Sequence, residues 1–217
     1  MSTALLNPLK SDARPKRPKS AEIPEGVSGG DPPLGETRIP LGPFTWEEFI
    51  TLQNLVEERG ARVTFLDGLV EIMSVSQNHE ILKSIVGHLL ETYFIEKDID
   101  FTPVGNATLA SKIKEASAEP DESYCFGELR PVPDLAIEIA LNSGGLKKLE
   151  VYRRLGVKEV WTWTQGRLIV NVLQEDGQYE LAEKSFHFPD FDFALLAECL
   201  AKPSLREARR AFLAGLD

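Results

Sequence analysis

The chain has no apolar run approaching the roughly 20 residues that a membrane-crossing helix needs. Its opening segment, MSTALLNPLKSDARPKRPKS, is too short in its apolar part to resemble a secretory signal, so a cytoplasmic protein with no membrane partner is expected. Cysteine is scarce, with only Cys125 and Cys199 in 217 residues. Neither stands in a CxxC or paired Cys/His spacing, which argues against a structural zinc site. Two buried thiols in a reducing compartment are a better reading than a disulfide. Positive charge is also short: 24 Lys and Arg face 34 Asp and Glu, a formal net charge of −10. Nonspecific affinity for nucleic acid comes mainly from cations neutralising phosphates. A nucleic-acid enzyme of this composition must gather its cations locally or neutralise itself with metal. Most of the excess carboxylates simply solvate the surface.

What is present is the composition of a soluble globular domain, 42% apolar and 27% charged. Eight of the 14 prolines fall in residues 1–43. That stretch is read as a flexible tail, because it cannot bury enough apolar area to offset ordering. Its basic cluster, Arg14, Lys16, Arg17 and Lys19, is read as solvated linker before DNA contact.

The domain is expected over residues 44–217. Thr45 and Glu48 fit a capping box for a helix running to Arg59 and stopping at Gly60. Arg62–Leu66 and Leu69–Ser74 read as strands joined by an Asp67-Gly68 turn. Ile81, Leu82, Ile85, Leu89 and Leu90 recur at helical spacing, giving a long amphipathic helix over 78–97. Residues 101–112 read as one strand, or two interrupted near Gly105, and 115–120 as a loop. Asp121–Phe126 and Asp134–Leu141 read as paired strands, followed by a short helix over 145–155 that ends at Gly156. Val157–Thr164 and Leu168–Gln174 form a hairpin over Gln165-Gly166, 178–186 adds a strand, and helices over 192–200 and 204–214 close the chain. This order suggests a mixed sheet flanked by helices, an α/β fold with an N-terminal helix and β-hairpin.

Two segments carry chemistry: Glu119-Pro120-Asp121 and Pro133-Asp134-Leu135-Ala136-Ile137-Glu138-Ile139. If they pair antiparallel with Phe126 opposite Pro133, Asp121 falls opposite Glu138 on one sheet face, where both can share a divalent cation. A slip of one residue would separate them. Glu138 stands inside an apolar run typical of a strand covered on both faces. A carboxylate there must be paired or bound to a cation, and a buried salt bridge satisfies the same pattern. Asp134 shares the face of Glu138 but lies roughly 13 Å away at about 3.3 Å per residue, which suits capping the connection or orienting a partner. At about 100° per residue, Lys148 points between Tyr152 and Leu155 on the apolar arc of its helix, and Lys147 points away. Lys148 is therefore a candidate phosphate contact, or an ion-pair partner of Glu138 serving stability alone.

Glu-Pro-Asp-Glu-Ser-Tyr, Pro-Asp-Leu-Ala-Ile-Glu-Ile, Leu-Lys-Lys-Leu-Glu-Val-Tyr and Leu-Gly-Val-Lys-Glu-Val-Trp together resemble the Uma-type family of candidate restriction endonucleases, within the PD-(D/E)XK nuclease superfamily. The resemblance covers roughly residues 44–200, including the Asp67-Gly68 hairpin and the Ser76-Gln-Asn-His79 entry to the long helix. It implies a restriction-endonuclease-like mixed central sheet and DNA hydrolysis with Mg²⁺ or Mn²⁺. In it Asp121 matches the first metal-binding aspartate and Glu138 the second acidic residue. The superfamily's lysine would stand at Ala140; Lys148 matches a displaced position on the following helix. By the same resemblance a homodimer is expected, with the Trp161/Trp163 hairpin as a candidate interface. His79 either touches the site or caps its turn, and Glu71 either lines the cleft or forms a surface or ion-pair contact. The rival reading is a catalytically inactive nuclease-fold module for DNA binding or protein assembly, towards which Ala140 and the charge of −10 lean. No recognition motif separates DNA from RNA or branched DNA.

Overall fold

The computed structural model describes residues 37–57, 60–141 and 146–216. The basic cluster of the tail, the end of the first predicted helix and the start of the predicted 145–155 helix lie outside them. Among the described residues there are two sheets and five helices.

The first sheet has the order β1-β3-β2-β6-β5, all antiparallel. Its centre is the hairpin of β2 (Ala61–Leu66) and β3 (Leu69–Ser74). Asp67 and Gly68 turn it with φ of 49° and 79°, the left-handed pair that a two-residue hairpin needs. Helix α1 (Trp46–Glu57) starts on the capping box: Glu48 accepts from the Thr45 backbone at 2.8 Å, and Thr45 Oγ1 accepts from the Glu48 backbone at 3.3 Å. Phe49 of α1 stacks on Phe65 of β2 at 4.7 Å between ring centroids.

Two members of this sheet correct the sequence reading. Thr37–Leu41 is strand β1, paired with β3 along its length, although it falls in the stretch read as tail. Four of its five residues are exposed, so it is held by backbone pairing and leaves no burial signal. Ala116–Ala118, read as loop, is β6, a short buried strand paired with β2 and with β5 (Leu109–Ser111).

The second sheet, β11-β10-β9-β8-β7-β4, is mixed. Strand β4 (Phe101–Pro103) lies in this sheet and β5 in the other, so residues 101–112 divide near Gly105 between two sheets. The expected mixed sheet is this one, and the N-terminal hairpin belongs to the separate antiparallel sheet. Strands β7 (Glu122–Phe126) and β8 (Leu135–Ala140) pair antiparallel, and β8 pairs parallel with β9 (Glu159–Thr164). Helix α3 (Lys148–Leu155) makes the crossover and ends on Gly156 at φ 91°. The hairpin to β10 (Arg167–Leu173) turns on Gln165 and Gly166, and β11 (Tyr179–Ala182) closes the edge.

The two faces of β8 pack differently. Leu135, Ile137 and Ile139 join Val86, Leu89, Leu90 and Phe94 of α2 (Gln77–Glu96), with Leu196 of α4 (Phe193–Leu200) and Phe212 of α5 (Leu205–Ala214), in the main core. Ala136 faces Val151, Tyr152 and Leu155 of α3 in a second cluster that also takes Leu66, Ala116 and Ala118 of the first sheet. Trp161 and Trp163 belong to the main core, 0% and 8% exposed, so this hairpin has no tryptophan face for a second copy. Cys125 and Cys199 are free and buried. No described helix is long and apolar enough to cross a membrane.

Candidate active site

The β7–β8 register is Glu122↔Ile137, Ser123↔Ala136, Tyr124↔Leu135, the one supposed above. One step further stand Asp121 and Glu138, at the end of β7 that meets α3.

Asp121 is fully buried. Its Oδ1 accepts from His79 Nε2 at 2.7 Å and from Arg62 Nη1, and its Oδ2 accepts from the Ile139 backbone at 2.6 Å. Burial pushes this carboxyl up. The His79 hydrogen bond and the charges of Lys148 and Arg62 outweigh burial and hold it well below the usual carboxylate range. Arg62 reaches on to Glu80 Oε1 at 3.2 Å with its other nitrogen.

Glu138 is 7% exposed. Lys148, the first residue of α3, places its ammonium 3.1 and 2.9 Å from the two Glu138 oxygens and 3.4 Å from the Glu119 carbonyl. Tyr152, one turn along α3, donates its hydroxyl to Glu138 Oε1. Burial raises the Glu138 carboxyl, Lys148 opposes the rise, and the negative charge of Asp121 adds to it. The two acids are thus close enough to act on each other and are driven in opposite directions.

The remaining predicted residues fall into place around this pair. His79 is fully buried and reaches Asp121, while the cap of α2 is Ser76, whose side chain accepts from the His79 backbone. Glu71 is not a surface residue: at 1% exposure it pairs with Arg38 at 3.3 Å and accepts from the Leu146 backbone at 2.8 Å. Asp134 caps the β7–β8 connection, accepting from the Phe126 backbone at 2.9 Å and from Arg130 at 2.7 Å, and takes no part in the site. Arg62, Tyr152 and the Glu119 carbonyl were not singled out from the sequence. Tyr152 carried a signal, since the i, i+4 spacing puts it on the face of Lys148. Arg62 carried none, because it meets Asp121 only through the folding of β2 against the rest.

A cavity of about 510 Å³ opens beside Glu138 and Lys148, with Ala140, Leu149, Val160, Thr162 and Tyr179 among its walls. A second, about 500 Å³, holds Arg62, Glu80, Lys83 and Glu119. Among the described residues no group of three or more His, Cys, Asp or Glu side chains is placed to hold an ion. The donors that do converge are oxygens: the Glu138 carboxylate and the Glu119 carbonyl already surround the Lys148 ammonium, and Asp121 adds a second charge alongside. Oxygen donors with one or two carboxylates are what Mg²⁺ takes, water and phosphate oxygens completing its shell. The residues present fit such an ion, provided that Asp121 exchanges Arg62 or His79 for it.

The family described as "Putative restriction endonuclease" (Uma2) matches residues 46–205. The chain belongs to the Uma2 family. The match begins at the first residue of α1 and ends at the first of α5, so it contains both acids, Lys148, Arg62 and His79. No protein of curated function matches. Among solved structures, a "putative nuclease belonging to DUF820" from Anabaena variabilis is similar at a TM-score of 0.48 and 17% identity, over 78% of this chain and 99% of that one. The fold of this Uma2 chain is a mixed α/β one, with two sheets and five helices among the described residues. Ala140 stands where the resemblance in the sequence would put a lysine, and the cation beside Glu138 comes instead from α3.

Proposed function

We propose that this Uma2 protein is a divalent-metal-dependent endonuclease that hydrolyses DNA phosphodiester bonds. The observation that carries the reading is the placing of Asp121 and Glu138 next to each other where β7 and β8 pair, with Lys148 on both oxygens of Glu138 in the wall of a cavity. Asp121 and Glu138 would hold the ion. Bound there, Mg²⁺ or Mn²⁺ supplies a Lewis acid and a water of lowered pKa.

The chain's own groups do the rest. Tyr152 fixes the direction of the Glu138 carboxylate. His79 and the Ile139 N–H aim Asp121. Lys148 is the mobile charge: freed from Glu138, its ammonium stays within the cavity, where it neutralises charge growing on the phosphate. Cutting both strands of a duplex would call on a second copy of the chain, and light scattering with and without DNA tests that.

Supercoiled plasmid incubated with Mg²⁺ or Mn²⁺ tests the chemistry. The wild type is expected to nick it, and Asp121→Ala and Glu138→Ala are expected to leave it intact. Nicking at equal rates by all three proteins overturns the assignment of the site.

A further inference from the structure

We infer that the cavity beside Glu138 is a subsite for one unpaired nucleotide of the DNA strand that is cut. The inference rests on the nuclease reading for its place on the strand, but not for the binding itself. Charge is the first argument. The chain as a whole sets 24 cations against 34 acids. Around this cavity Arg38, Lys147, Lys148 and Arg153 face Glu138, Glu150 and, behind Arg38, Glu71. The balance that is negative elsewhere turns positive here, and Lys147 is exposed with no ion-pair partner among the described residues. A wall with this excess of cations favours an anion.

Shape is the second. About 510 Å³ lies within the roughly 300–1,000 Å³ of pockets that enclose a small ligand. A base pair stacked in a duplex cannot enter such a concavity, whereas a single base swung out of the stack can. The walls suit a base: Leu146, Leu149 and Val160 are apolar, and the Tyr179 ring is fixed by its hydroxyl on the Val157 carbonyl at 2.6 Å. Two polar side chains are available for its edge. Neither the Thr162 hydroxyl nor the Gln178 amide makes a side-chain hydrogen bond among the described residues, and Thr162 stands beside Glu138 in the β8–β9 register. A nucleotide seated here has its phosphate against the part of the wall that Glu138 and Lys148 line.

Extracting a base from a duplex costs a few kcal/mol, and less where it is already unpaired. Substrate preference therefore reads out the subsite. Three labelled oligonucleotides of one sequence serve as probes: a perfect duplex, the same duplex with a single bulged nucleotide, and one whose bulged residue is abasic. By fluorescence anisotropy with the full chain and no divalent metal, the bulge is expected to bind about tenfold tighter than either control, the size of one base–aromatic contact. Thr162→Leu, which narrows the cavity, and Gln178→Ala, at an exposed position where folding is not at risk, are each expected to cut that preference to below about threefold. Equal binding of the three DNAs, equal binding of bulge and abasic bulge, or a preference that neither variant moves overturns the inference. With Mg²⁺ added, cutting of all three DNAs at one rate removes the subsite and keeps the nuclease. A bulge preference in binding with no cutting of any DNA keeps the subsite and removes the nuclease.

Discussion

The two faces of β8 are made of the same strand and are put to opposite uses. On one, Leu135, Ile137 and Ile139 are at most 1% exposed and interlock with α2, α4 and α5. On the other, Ala136, Glu138 and Ala140 leave space, which α3 fills with Tyr152 and Lys148 and which the cavity occupies. Hydropathy along the strand hides this difference. The first face carries stability; the second gives up apolar burial to hold a carboxylate that burial itself makes costly.

The sharpest way to break that contrast is to mutate each face and compare. Ile137→Ala is expected to lose about 2–5 kcal/mol, read as a lower midpoint of urea unfolding. The double replacement Glu138→Leu with Lys148→Met removes a buried ion pair for apolar groups of similar size. It is expected to be neutral or stabilising by about 1–4 kcal/mol, while plasmid nicking disappears. A loss of stability as large as that of Ile137→Ala would mean that the pair is structural and that the two faces do not differ in kind.

The acids themselves sharpen the comparison next. Asp121 has no exposure and relies on Arg62, His79 and the Ile139 N–H. Arg62→Met strips one charge from a buried carboxylate, at an expected cost of about 3 kcal/mol. The urea midpoint reports it, and an unchanged midpoint would show that His79 suffices alone. Glu138 relies on Lys148 and Tyr152. Tyr152→Phe removes one hydroxyl donor, expected to cost about 1 kcal/mol and to slow turnover about tenfold with KM unchanged, because the tyrosine orients Glu138 and does not touch DNA. A rise in KM at constant kcat would assign it to binding instead.

How much of this could be read without coordinates follows the same division. The β7–β8 register could only be supposed, since a slip of one residue leaves the apolar run of β8 unchanged. The helical angle of Lys148 pointed it inward without separating a phosphate contact from the ion pair with Glu138 that the fold forms. Strand β1 was not legible, since composition measures burial and this strand is held by an edge ladder of backbone bonds. Strand β6 is three small residues, too few for any period to show. Arg62 lies 59 positions from Asp121, and no local pattern encodes a contact made by the meeting of two sheets. Tyr152 counts as apolar in a helical pattern, yet a buried tyrosine hydroxyl needs a partner, which here is Glu138.

The smallest expected effect concerns the outer side of α3. Glu150 accepts from Arg153 at 2.6 and 2.7 Å and from Arg154 at 3.0 Å. The Arg153 hydrogen bonds, joined by those from Arg154 and by the charges of both arginines, outweigh burial and bring its carboxyl from 4.5 down to about 2. A carboxyl whose value is lower in the folded chain than in the unfolded one adds stability above the unfolded value. That contribution is lost as pH falls from about 4.5 towards 2. Glu138, raised by burial, tilts the profile the other way, losing its contribution as pH rises through its folded value. Glu150→Gln is expected to change stability at neutral pH by no more than about 0.5 kcal/mol, as partly exposed pairs do. It should also flatten the acid limb of a thermal-melting series below pH 4.5, the ordinary value of this group. An acid limb of unaltered slope in Glu150→Gln would place the acid sensitivity on the inner acids, and α3 would then have its electrostatic weight on one side only.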